Sequence, residues 1–177
     1  MIKDLDEKII EWAKLRDLDK KGTIDGQRIK TVEEFAELMK GISKKDIAMI
    51  KDSIGDVYVT LIIGNMLKKE KIEIEKALKE AKKEYKNVTY SLRLNTGSPE
   101  HAINQMQMAT SCMRELLFIG YTQHTVTMCL IYLMAMADFC KSNLKECVEL
   151  AYQEIKDRRG KMVDGTFVKE SDLVGRD

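Results

Sequence analysis

Apolar positions recur every three or four residues along most of the chain, a period that predicts helices. Leu5, Ile9, Trp12 and Leu15 or Arg16 mark one side of a first helix over 4–17, followed by the polar stretch DLDKKGTIDGQ, read as a loop. A second helix is expected over 27–40, stopping at Gly41. The third starts at Ser43, taken as its N-cap with Asp46 in the first turn, and runs to Leu67. So short a connection implies that these two helices lie antiparallel. Residues 69–86 carry charges of both signs around a thin apolar stripe (Ile72, Ile74, Leu78, Ala81, Tyr85), the pattern of a partly exposed helix. The stretch NVTYSLRLNTGSPE breaks that period, with a turn signal at Gly97, Ser98 and Pro99. Helices are then expected over 100–119, over 123–140 after Gly120, and from Ser142 or Asn143 to about Arg159. In the tail, KMVDGTFVKESD sets Asp-Gly between two apolar runs, the signal of a small β-hairpin.

The sum is an all-α helical bundle with a short C-terminal hairpin. At 177 residues it is expected to form one domain over 1–177. A helix pair at 27–67 comes first, then a longer middle section at 68–143, then a final helix and tail at 144–177. A single proline agrees with a helical chain. Thirty Lys and Arg nearly cancel 29 Asp and Glu, so the net charge of +1 points to neither nucleic acid nor an acidic membrane as partner. The opening residues lack the plan of a secretory signal. The most apolar run, MCLIYLMAMADFC at 128–140, is short for a bilayer span and reads as a buried helix. A cytoplasmic location is expected. Cys112, Cys129, Cys140 and Cys147 form no C-x-x-C pair, and His101 and His124 stand at no zinc-ligand spacing. The cysteines are read as small core residues.

Charge matters by placement. Asp52 and Asp56 lie on a helical stripe that continues through Val59 and Ile63, within a segment otherwise suited to a hydrophobic interior. A buried anion without a partner takes up a proton or finds a cation. On the preceding helix, Glu33, Glu34 and Glu37 lie within about one turn. Counted from Ser43, Glu33 and Glu34 stand level with Asp52, with Asp56 a turn beyond. Facing carboxylates repel unless cations bridge them, and hard oxygen ligands suit Mg²⁺ or Mn²⁺, here with room for more than one ion. Such ions can activate water for attack on phosphorus. An interior salt-bridge network is the structural rival.

These residues resemble the MazG-like, all-α nucleoside triphosphate pyrophosphohydrolases, whose motif is E-E-x-x-E on one helix and E-x-x-D on the next. Glu33, Glu34 and Glu37 match the first half and Asp56 the last acid of the second. Ser53 stands where the pattern has Glu, with Asp52 one position earlier. WAKLRDL followed by TIDGQRIKTVEEFAEL is similar to the family's approach to the metal helix, and ELAYQEIKDRRGKMVDGTFVKESD to the C-terminus of its shorter phage and bacterial members.

The resemblance implies hydrolysis of a nucleoside triphosphate to a monophosphate and pyrophosphate, with Mg²⁺ as cofactor. It also implies a homodimer or higher oligomer, and Gln27 and Lys30 facing the nucleotide. On this reading Glu34, Glu37 and Asp56 are the main metal ligands. Glu33 and Asp52 are secondary ligands or the base that orients water. Lys30 and Arg159 meet phosphates, with Lys156, Arg158 and Lys161 in the same basic cluster. Trp12 and Tyr58 are candidates for base stacking, with core packing favoured. The alternative is a nucleotide-binding sensor or helical interaction protein that has lost turnover.

Overall fold

The protein is seen here as a computed structural model that describes residues 2–93 and 99–173, the side chains of 89–93 excepted. Eight helices and one two-stranded sheet appear among them: α1 (Ile2–Lys14), α2 (Leu18–Lys21), α3 (Ile24–Lys44), α4 (Ile47–Leu67), α5 (Ile74–Arg93), α6 (Pro99–Phe118), α7 (Gln123–Phe139), α8 (Leu144–Ile155), β1 (Gly160–Val163) and β2 (Thr166–Lys169). The all-α expectation holds, including the terminal hairpin. Asp164 and Gly165 both have positive φ, 48° and 80°, the conformation of a two-residue type I′ turn, and Val163 pairs with Thr166 across it.

Several boundaries differ from the sequence reading, each for a local reason. The first joint of the acidic pair is not at Gly41. α3 runs on to Lys44, and Lys45 reverses the chain with φ 54° while its N–H reaches the carbonyls of Gly41 and Ile42. Ser43 is therefore not a cap: its hydroxyl donates to the Lys40 carbonyl, and Asp46 caps α4 by accepting from the Met49 N–H. The polar loop after α1 is mostly helical. Asp17 turns the chain at φ 59° into α2, and Thr23 caps α3 through the Gly26 N–H. α5 begins only at Ile74 and continues to Arg93, through the segment read as irregular. Of the expected turn, Gly97 and Ser98 lie outside the described residues, and Pro99 opens α6. α8 ends at Ile155 rather than Arg159.

The core is built on α4. Nearly every residue from Ser53 to Gly64 is buried, with α3 alongside and α1, α7 and α8 also packed on it. α5 lies against α7, so its apolar stripe of Ala77, Leu78 and Ala81 is covered. Glycines decide two of these approaches. A Cβ at Gly55 would stand 2.2 Å from the Cys147 carbonyl oxygen and 2.7 Å from the Ala151 Cβ, so α8 can rest its backbone on α4 only there. Gly64 does the same for the Tyr121 ring. The four cysteines are free and buried, as core residues. His101 is also interior, with its ring 5.0 Å from that of Phe139. No single helix among the described residues is long and apolar enough to cross a membrane.

Trp12 and Tyr58 belong to the core. The Trp12 indole donates to the Ile155 carbonyl at 2.6 Å and meets Phe167 edge-on. The Tyr58 hydroxyl donates to Asp6 at 2.8 Å. Gly55→Ala is expected to destabilise the fold by about 2 kcal/mol, because the clash is with backbone and outweighs alanine's helix preference. Urea unfolding followed by circular dichroism measures it, and an unchanged midpoint would mean that α8 does not seat on α4 as described.

Candidate acidic site

The turn at Lys45 sets which acids face each other. Asp56 lies as far after Lys45 as Glu34 lies before it, and Asp52 falls close to the level of Glu37. The register is thus displaced from the one counted from Ser43: Asp56, not Asp52, is level with Glu34. The electrostatics follow the new pairing. Burial, then the like charges of Glu34, Asp52 and Glu154, push the Asp56 carboxyl up to about 8, with Arg158 pulling the other way. Asp52 is raised first by burial and then by Glu154 and Glu37, and is eased by Arg158 and Lys169. Burial also raises Glu34, Lys30 opposes this, and Glu37 adds to it. Glu37 itself is exposed.

The other expected site residues fall into two groups. Lys30 and Glu33 stand beside the acids and form an ion pair with each other. Gln27 does not face them. It is buried, and its amide donates to the Thr60 carbonyl at 3.2 Å, inside the bundle. Ser53, where the motif has Glu, is buried too, so Asp52 is the acid that this turn of α4 offers. At the end of α8, Lys156 and Arg159 are exposed, and the arginine whose charge acts on Asp52 and Asp56 is Arg158. Arg159 instead lines a groove of roughly 540 Å³ with Arg16, Arg158, Lys161 and Glu170.

Two contributors escaped the sequence reading. Glu154 acts on both aspartates because α8 sits close on Gly55, and Lys169 acts on Glu34 and Asp52 because the hairpin folds back over α3. The Thr23 N–H donates to the Gly165 carbonyl at 3.1 Å, which holds the hairpin in place. Gly55 was the available signal for the first, as a residue that admits a backbone. Nothing in the sequence pattern announced the second.

No ion pair or side-chain hydrogen bond within the described residues engages Glu34, Glu37, Asp52 or Asp56. The donor set therefore fits a hard divalent cation in chemistry, all carboxylate oxygen on adjacent turns of two rigid helices. It is not yet gathered: among the described residues no three Asp, Glu, His or Cys side chains stand close enough together to hold a metal ion.

Asp56 ionises in the unfolded chain near the ordinary carboxylate value but in the folded chain only at about 8, so the fold loses stability as pH rises between those two values. Without divalent ions, the melting temperature is expected to fall from about pH 5 to about pH 9, and Asp56→Asn to flatten the slope. Asp6, raised to about 6 mainly by burial, leaves a residual slope of the same sign at the lower end. Differential scanning fluorimetry across pH measures both; an undiminished slope in the variant would show that Asp56 is not the group responsible.

No known family profile matches the chain, and no solved structure matches it. Over 62 residues the chain is 42% identical to an uncharacterized 18.2 kDa protein in the rep-hol intergenic region of Haemophilus phage HP1 (strain HP1c1). The aligned stretch covers 35% of this chain and 38% of the phage protein, little more than a third of either, and it assigns neither family nor activity.

Proposed function

We propose that the protein is a Mg²⁺-dependent nucleoside triphosphate pyrophosphohydrolase of the kind that the MazG-like resemblance implies. The observation that supports this most is the unengaged acid set: Glu34, Glu37, Asp52 and Asp56 sit on facing turns of α3 and α4 without a hydrogen bond or ion pair among the described residues. A structural salt-bridge network would have paired them.

In this reading Glu34, Glu37 and Asp56 hold Mg²⁺ or Mn²⁺, with Asp52 completing the set and more than one ion accommodated. Bound there, the metal would neutralise phosphate charge and make a water beside the α-phosphorus more acidic. Glu33, half exposed beside the set, accepts that water's proton on a carboxylate oxygen, a role that Asp52 can share. The water oxygen joins the α-phosphorus as the bond to the α–β bridging oxygen breaks, and pyrophosphate leaves with the electron pair. Lys30, turned from Glu33, meets a phosphate oxygen; Lys169 and Arg158 add positive charge around the same acids. Self-association, which the resemblance also implies, belongs to the same proposal.

A sensor that binds nucleotide without turnover is the second reading, and the buried Ser53 favours it, since one acid of the motif is missing. A pyrophosphate assay with each NTP and dNTP, with and without Mg²⁺, decides between them. Release from at least one triphosphate, only with the metal, is expected. Glu37→Gln is expected to lower that rate at least about a hundredfold with helicity unchanged. Binding by isothermal titration without release from any triphosphate would replace the enzyme with the sensor.

A further inference from the structure

α6 buries Gln105, Ala109, Cys112 and Leu116 against the bundle, and its opposite side is bare among the described residues. Ile103, Gln107, Thr110, Arg114 and Leu117 run down that side in alternating steps of four and three, with Phe118 beside the last of them. This is the 3.5-residue period of a helix that meets another helix at a shallow angle. Ile103 is 53% exposed, Leu117 47% and Phe118 81%. A third of the chain's residues are charged, yet none from Ala102 to Met113 is. α5, by contrast, turns Glu75, Lys76, Lys79, Lys82 and Lys83 to water, as a solvated helix face does.

Two features of this face fit it to a second copy of the same chain. Its ends are large and apolar and its middle is small, so two such helices can touch at Thr110 and Ser111 and fill the space where they diverge. Both hydroxyls are already satisfied within α6, donating to the carbonyls of Met106 at 2.8 Å and Gln107 at 3.0 Å, so burying them costs no hydrogen bond. The face also complements itself when reversed. Laid antiparallel on its own copy, with the dyad between Thr110 and Ser111, it sets Ile103 level with Phe118 and Gln107 level with Arg114. Arg114, which Glu115 of its own chain meets at 3.3 Å, then opposes an amide. A parallel pairing would set Arg114 against Arg114. At the Phe118 end, Arg28 ties α3 to α6 by donating to the carbonyls of Leu116 and Leu117, and Ile29 and Ile119 are exposed there too. With these two, the face offers roughly 800 Å² per copy, about what each partner buries in a standard interface.

We propose that the outer face of α6 is a homodimer interface, in which two copies pack antiparallel with Ile103 of each against Phe118 of the other. The inference rests on the self-association named in the function proposed above and on none of its chemistry. Sedimentation equilibrium of the full-length chain tests it, with a dimer expected for the wild type. Phe118→Glu is expected to raise the dissociation constant at least about a hundredfold and Ile103→Lys at least about tenfold, both with helicity unchanged. Combined in one chain, the two substitutions bring opposite charges together across the dyad and are expected to recover most of the loss. Thr110→Arg, which sets like charges together at the dyad, serves if Phe118→Glu does not fold. A monomeric wild type overturns this surface together with the self-association and leaves hydrolysis to the pyrophosphate assay. A dimer that every variant retains overturns the surface alone. Loss in both single variants without recovery in the combined one overturns the antiparallel register.

Discussion

Asp56 is a carboxylate set into a helix whose neighbouring residues are nearly all buried and apolar, and that placement governs the rest of the site. An ionised group in such a place is costly without a counter-charge. The protein offers partial compensation only: a proton, retained because burial and three like charges raise the group, and the field of Arg158. α4 cannot rotate to bring Asp56 into water without exposing Val57, Tyr58 and Ile54. The charge is held where it is by the packing of the same rod that carries it.

Two close approaches build the surroundings. The Lys45 turn lays α3 on α4 with Glu34 opposite Asp56, and Gly55 lets α8 press its backbone against the other flank. The first approach gathers negative charge. The second brings one more acid together with its own arginine, so acid and counter-ion arrive as a unit. Lys30 and Glu33 form a similar unit on α3. Among the described residues the site thus has unpaired carboxylates at its centre and the Lys30–Glu33 and Glu154–Arg158 ion pairs at its edge.

Helical period, capping residues and the Asp-Gly turn made the bundle legible in the sequence, because each is a local property of the chain. The five acids of α3 and α4 were legible for the same reason. Their register was not, since it depended on whether the chain turns at Gly41 or Lys45. Glycine is the commoner helix stop, but here Gly41 is needed inside the interface, where its absent side chain leaves room for Ile50. Gln27 looked like a polar residue near the acids, yet the buried Thr60 carbonyl claims its amide. Glu154 and Lys169 act on the set through tertiary packing across about a hundred residues of chain or more, which no periodicity encodes.

The Trp12 indole bonded to the Ile155 carbonyl has a consequence for how the protein is made. This clasp links segments 143 residues apart and closes only after α8 has left the ribosome, long after α3 and α4 are complete. The closure of α1 on the end of α8 therefore belongs to the late, long-range part of assembly, while α3 and α4, joined by a short turn, can pair early.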